Sequence, residues 1–114
     1  MHASLIYSKD AEEDVTKIVH YISKKIVSPK AAINTIKKIY EKCELISITP
    51  EAYPHHMRTD PNYKIKYQVA NAGNYTIIYR FDKKANTVII LRIVYSRSSY
   101  ENIIKMINFE EYIK

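Results

Sequence analysis

Glycine occurs once in these 114 residues, at Gly73, proline four times, cysteine once and tryptophan never. So little glycine and proline excludes collagen-like and low-complexity chains, and with 46% apolar residues it points to a packed globule. The lone Cys43 excludes an internal disulfide and every multi-cysteine zinc pattern. No apolar run approaches the roughly 20 residues that cross a membrane. The opening MHASLIYSKD has no basic stretch ahead of a long apolar one, so we expect a cytoplasmic protein without a secretory signal. The length suits one domain spanning residues 1–114.

What the chain does have is positive charge, and it is unevenly placed. The net charge is +6. Residues 62–98 hold seven of the 18 Lys and Arg against a single acid, Asp82, so this stretch alone carries +6 while the rest of the chain cancels. The same stretch contains Tyr63, Tyr67, Tyr75, Tyr79 and Tyr95. Cations beside aromatic rings suit a polyanionic partner, either nucleic acid or an acidic protein segment. A charge surplus that only keeps the protein soluble is the plainer alternative.

Hydrophobic spacing divides the chain into elements. Leu5-Ile6-Tyr7 reads as a short strand, after which Ser8 can cap a helix whose first turn carries Asp10, Glu12 and Glu13. Ala11, Val15, Ile18, Ile22 and Ile26 form its apolar stripe. Ser28-Pro29 starts a second helix, with Ala32, Ile33, Ile36, Ile39, Tyr40, Cys43 and Ile46 as its stripe. The two make a helical hairpin over 9–48. Residues 49–62, with three prolines and no periodicity, read as a loop.

The period then becomes two. Tyr63, Ile65, Tyr67 and Val69 would be buried, with Lys64, Lys66, Gln68 and Ala70 on a wet face. A turn at 71–74 leads to Tyr75, Ile77, Tyr79 and Phe81, and the run 88–95 is apolar on both faces except at Arg92. A capped helix over 99–108 follows a sheet spanning 63–96. The expected fold is α+β, in the order β-α-α-β-β-β-α, with the hairpin packed on a mainly antiparallel four-stranded sheet.

This order resembles the RelE/ParE superfamily of toxins from bacterial type II toxin–antitoxin systems. The resemblance rests on "YKIK" at 63–66, "AGNYTIIYRFD" at 72–82 and "ILRIVYSRSSYENII" at 90–104, in that order behind a helical hairpin. It implies a sheet cupping the helices and a cognate antitoxin that wraps the toxin, with an acidic, amphipathic tail. It also implies one of two targets: messenger RNA in the ribosomal A site, cut by RelE-like members, or DNA gyrase, blocked by ParE-like members.

Cleavage of RNA by its own 2′-OH needs a proton acceptor, cations for the phosphorane-like transition state and a donor to the leaving oxygen. By resemblance, Lys66 would be base or charge stabiliser, Lys64 and Arg97 would hold the phosphate, and Tyr100 would stack on a base or assist proton transfer. Arg80 and Arg92 are the further cations on which a phosphate could rest. Each has a plainer reading: Lys64 and Lys66 as an ordinary wet face, Tyr100 as core, Arg92 as one half of a buried ion pair. The pattern also departs from the ribonuclease members, because Thr76 stands where they often carry Arg. From ParE-like members it departs in Tyr95-Ser96-Arg97-Ser98-Ser99, where their motif often reads His-Gly-Arg-Arg-Asp.

The expected function is a toxin that arrests translation as a ribosome-dependent mRNA interferase. The alternatives are a ParE-like, non-enzymatic gyrase inhibitor and an inactive antitoxin-binding module. No cofactor is expected, and the adjacent pair His55-His56 lacks the spacing of a metal site.

Overall fold

Two side-chain caps set the helical hairpin. The computed structural model describes residues 2–25, 28–59, 64–97, 103, 104, 106 and 107, without the side chains of 55–59, 64 and 65. Strand β1 (Ser4–Tyr7) ends at Ser8, whose hydroxyl oxygen accepts the Ala11 N–H at 3.0 Å and opens helix α1 (Lys9–Lys25). Ser28 does the same for the Ala31 N–H at 3.2 Å, with Pro29 at the first position of α2 (Pro29–Ile48). Asp10 and Glu12 lie in the first turn of α1 and Lys24 and Lys25 in its last, all with the sign the helix dipole favours.

The remaining strands are β2 (His55–Thr59), β3 (Lys64–Ala72), β4 (Tyr75–Asp82) and β5 (Thr87–Tyr95). They form a five-stranded sheet in the order β1-β5-β4-β3-β2. β1 runs parallel to β5, and every other pair is antiparallel. The α+β class and the hairpin on a mixed sheet are therefore as expected. The sheet has one more strand, because 55–59 pairs with 64–68 where a loop was expected. His55-His56-Met57-Arg58-Thr59 carries no alternation to announce a strand and is recruited by the free edge of β3. Of the expected helix over 99–108, residues 103, 104 and 106 are helical and most of the rest lies outside the described residues.

Both faces of the sheet are covered. On one, Ala70, Ala72, Ile77, Tyr79, Val88, Ile90 and Ile93 pack under Ala11, Ile18, Ile22, Ile39, Cys43 and Ile46 of the hairpin. On the other, Tyr67, Ile78, Ile89, Leu91 and Val94 meet Ile104 and Ile107 from the C-terminal segment. This corrects the expectation of a wet face on β3. Gln68, 3% exposed, lies in the interior and donates from Nε2 to the carbonyls of Pro50 at 2.7 Å and Tyr53 at 3.1 Å. A buried amide is tolerable because both its N–H groups are used. Ile33 and Tyr40 correct the helical reading in the opposite sense. Both belong to the apolar stripe of α2, yet they are 68% and 42% exposed.

One contact joins α1 to β5. The pairing of β4 with β5 slips between Ile78, opposite Arg92, and Tyr79, opposite Ile90, leaving Leu91 as a bulge. At that bulge the Asp14 carboxylate accepts from Arg92 Nε at 2.7 Å, Arg92 Nη2 at 2.9 Å and the Ile93 N–H at 2.9 Å. Just before it, the Ser8 N–H donates to the Ile90 carbonyl at 2.9 Å and its hydroxyl to the Leu91 carbonyl at 2.8 Å. α1 thus takes over the edge of β5 where β1 stops.

Removing the carboxylate in Asp14→Ala leaves a guanidinium and a strand N–H unpaired. We expect a loss of about 2–3 kcal/mol in urea unfolding, toward the low end for a broken buried pair because the Arg92 side chain is 25% exposed. Cys43 gives a second test. Burial pushes its thiol up to about 11 from 9.0, opposed by a hydrogen bond with Tyr7, while Glu44 raises it further. A raised pKa favours the neutral, folded form. The stabilisation is therefore complete below pH 9 and is lost as pH climbs through about 11. Tyr7 and Tyr79, both pushed up chiefly by burial, act in the same sense. Stability should fall over this alkaline range, and a thiol reagent at pH 8 should label Cys43 only after denaturant is added.

Candidate functional site at the Tyr75–Tyr95 corner

The cations proposed for RNA chemistry do not converge. β3 and β4 pair Ala72 with Tyr75 and Gln68 with Tyr79, and β4 and β5 pair Tyr75 with Tyr95. Continuing that register sets Lys66 level with Phe81, which lies opposite Val88. Arg97 lies two residues past Tyr95, whose partner Tyr75 is six strand steps from Phe81 along β4, or roughly 20 Å along the sheet. Lys66 is exposed at one end of the sheet and Arg97 is exposed at the other.

Faces separate the set further. Lys66 shares the parity of Gln68, Ala70 and Ala72, the hairpin side. Arg80 pairs with Ile89, whose side chain belongs to the opposite core. Arg92, for which an acidic partner and a pocket-lining role were both open, has the acidic partner: its Nε and Nη2 are committed to Asp14. That hydrogen-bonded pairing holds its pKa above the ordinary arginine value, against the effect of burial. Lys64 opens β3, but its side chain lies outside the described residues, as does all of Tyr100.

Thr76, where an arginine was looked for, is a buried structural residue, 5% exposed. Its hydroxyl donates to Asn71 Oδ1 at 3.0 Å and lies 3.0 Å from the Ser96 hydroxyl. The Ser96 N–H donates to the Asn74 carbonyl at 2.8 Å. The β3–β4 turn, with Gly73 at φ +60°, is thereby tied to the residue that precedes Arg97.

What does converge at this end is aromatic. The rings of Tyr75 and Tyr95 meet edge to face at 5.8 Å. They line a groove of about 600 Å³ with Lys17, Tyr21 and Ile22 of α1, and with Ile103 from the C-terminal segment. Burial raises the Tyr75 pKa, and the neighbouring hydroxyls of Tyr95 and Tyr21 add to the shift. Tyr21 and Tyr95 remain 54% and 42% exposed, a large amount of aromatic surface for a monomer to leave in water. The groove has the makings of a binding surface: rigid rings for an apolar side chain, with Lys17 on its rim and Arg97 two residues beyond Tyr95. Its members were visible in the sequence only as tyrosines near a basic stretch, since Lys17 and Tyr21 come from a helix far away in the chain. Among the described residues no three His, Cys, Asp or Glu side chains cluster to hold a metal, and no helix is long and apolar enough to cross a membrane.

Thr76→Val keeps the shape and deletes the hydroxyl that joins Asn71 to Ser96. A loss of about 1–2 kcal/mol is expected in urea unfolding, and Thr76→Ser should recover most of it.

Solved structures share this architecture. The ParDE system of P. aeruginosa aligns with a TM-score of 0.62 at 18% identity, over 82% of this chain and 96% of that one. The RelBE2 toxin–antitoxin complex of Mycobacterium tuberculosis gives 0.54 at 18% identity, over 83% and 99%. A mutant of E. coli RelE in the free state gives 0.57 at 14% identity, over 94% and 100%. No curated protein matches the chain in sequence. The family profile described as the ParE toxin of the type II toxin–antitoxin system parDE matches residues 5–100. With most of its length accounted for by that profile, and with the hairpin and mixed sheet of these toxins, the chain belongs to the ParE toxin family of type II toxin–antitoxin systems.

Proposed function

We propose that this toxin arrests growth without catalysis, as a ParE-like inhibitor of DNA gyrase, and that a cognate antitoxin neutralises it. The observation that carries the reading is the separation of Lys66 from Arg97. In-line attack by a 2′-OH needs its proton acceptor and phosphate-binding cations within hydrogen-bond reach of one phosphate. Six strand steps exceed that reach several-fold. Arg92 is occupied by Asp14, and Thr76 offers no charge. Inhibition by binding asks only for a rigid surface, and the Tyr75–Tyr95 corner with Arg97 is one.

An antitoxin is supported by the family and by the toxin–antitoxin complexes among the structural relatives. The chemistry of the aromatic groove suits an amphipathic, acidic segment: apolar side chains on Tyr21, Tyr75 and Tyr95, carboxylates toward Lys17 and Arg97.

The full chain, made by cell-free synthesis, should be titrated into a gyrase supercoiling reaction and into a translation reaction whose mRNA 5′ ends are mapped. We expect supercoiling to fail while the message stays intact, and Arg97→Ala to raise the inhibitory concentration about ten-fold, as for one charge-assisted contact. New 5′ ends inside reading frames, lost in Lys66→Ala and Arg97→Ala, would instead establish an mRNA interferase. Silence in both reactions would leave an antitoxin-binding module.

A further inference from the structure

The helical hairpin leaves part of its apolar surface uncovered on the side away from the sheet. Ile33 is 68% exposed, Tyr40 42% and Val19 38%. With Ile36 they line a groove of about 520 Å³ built from helix residues alone. Ile33, Ile36 and Tyr40 recur at three- and four-residue spacing, so they form one stripe along α2. A lone exposed isoleucine needs no explanation, but a contiguous stripe of this kind marks a contact surface.

Charge decides what fits it. Lys30 and Lys37, three residues before Ile33 and four after it, flank the early part of the stripe, and both are exposed. Exposed Glu44 lies four residues beyond Tyr40. Exposed Glu12, near the start of α1, lies beside that same end because the two helices run antiparallel. The groove is therefore basic at one end and acidic at the other. A uniformly acidic helix would set carboxylates on Glu12 and Glu44, and a uniformly basic one would oppose Lys30 and Lys37. A second copy of this chain, turned about a two-fold axis across α2, sets each end against its opposite and the stripe against itself.

We infer that the outer groove of the hairpin is a self-association face, where two copies pack α2 against α2 in antiparallel. The long stem of Lys37, nearest the axis, can cover apolar surface while its ammonium group reaches water. A 20-residue helix is about 30 Å long, and a face two helices wide offers roughly 600 Å² per copy. Stable complexes bury about 800 Å² per partner, so a face of this size suits a weak, reversible dimer.

Sedimentation velocity on the full chain from about 2 to about 200 μM tests this independently of any target, since it reads mass and not growth arrest. The mass should rise from 13.4 kDa toward twice that value. Ile33→Glu, at a site exposed enough to spare the fold, should stay monomeric with an unchanged circular dichroism spectrum. Lys30→Glu or Glu44→Lys alone should weaken association about ten-fold, and the two together should restore it, because the ends are again opposite. A monomer at every concentration would overturn the inference, and so would a dimer indifferent to Ile33→Glu. A toxin that stays monomeric until an antitoxin covers Ile33 would overturn it too, and would assign the groove to that partner.

Discussion

The Asp14 carboxylate is the contact on which the arrangement of helix and sheet depends. It is the buried acid of α1, and it satisfies three donors on the strand with which that helix must align. β1 covers only the first half of the neighbouring edge of β5, so the second half would otherwise expose unpaired backbone groups. Ser8 and Asp14 close that edge with one hydroxyl and one carboxylate, at the point where the bulge at Leu91 bends the strand. The position of α1 then determines where Lys17 and Tyr21 stand relative to Tyr75 and Tyr95. A packing device and the candidate binding surface are one turn apart on the same helix.

A consequence is that a charged residue within an apolar strand need not report on a ligand. Arg92 interrupts an otherwise buried run and meets its counter-charge inside the protein. Burying such a pair adds little net stability by itself, but it penalises any registry in which either partner is left alone. That is a reason to find it at a bulge, where the neighbouring hydrogen bonds are least able to specify alignment. The polar chain Asn71–Thr76–Ser96 serves a comparable purpose two residues earlier on β4, holding the turn against the residue before Arg97.

The helical hairpin could be read from the chain because its signals are local: a serine before each helix, a proline at the first position of the second, and apolar residues at helical spacing. β4 and β5 were legible for the same reason. The strand at 55–59 was not, since its only cause is the unpaired edge of β3. The faces of β3 were misread because Gln68 is polar and buried, its partners being carbonyls 15 and 18 residues away. Asp14 carried no signal at all, its partners lying 78 and 79 residues along the chain. The site suffered most from this blindness to register. Lys66 and Arg97 resemble members of one constellation when written in order, and only the pairing of three strands sets them at opposite ends of the sheet. The groove at Tyr75 and Tyr95 shows the converse, since its residues from α1 have no sequence link to the strands they join.

Action without catalysis depends on the separation of Lys66 from Arg97, which can be measured directly. Spin labels at Lys66→Cys and Arg97→Cys, with buried Cys43 left unlabelled, would report the distance by pulsed electron resonance in the free toxin. The register of β3, β4 and β5 predicts a distribution centred at roughly 25 Å or more. A population near 10 Å would bring the two cations to one phosphate, contradict the non-catalytic reading and restore the mRNA interferase.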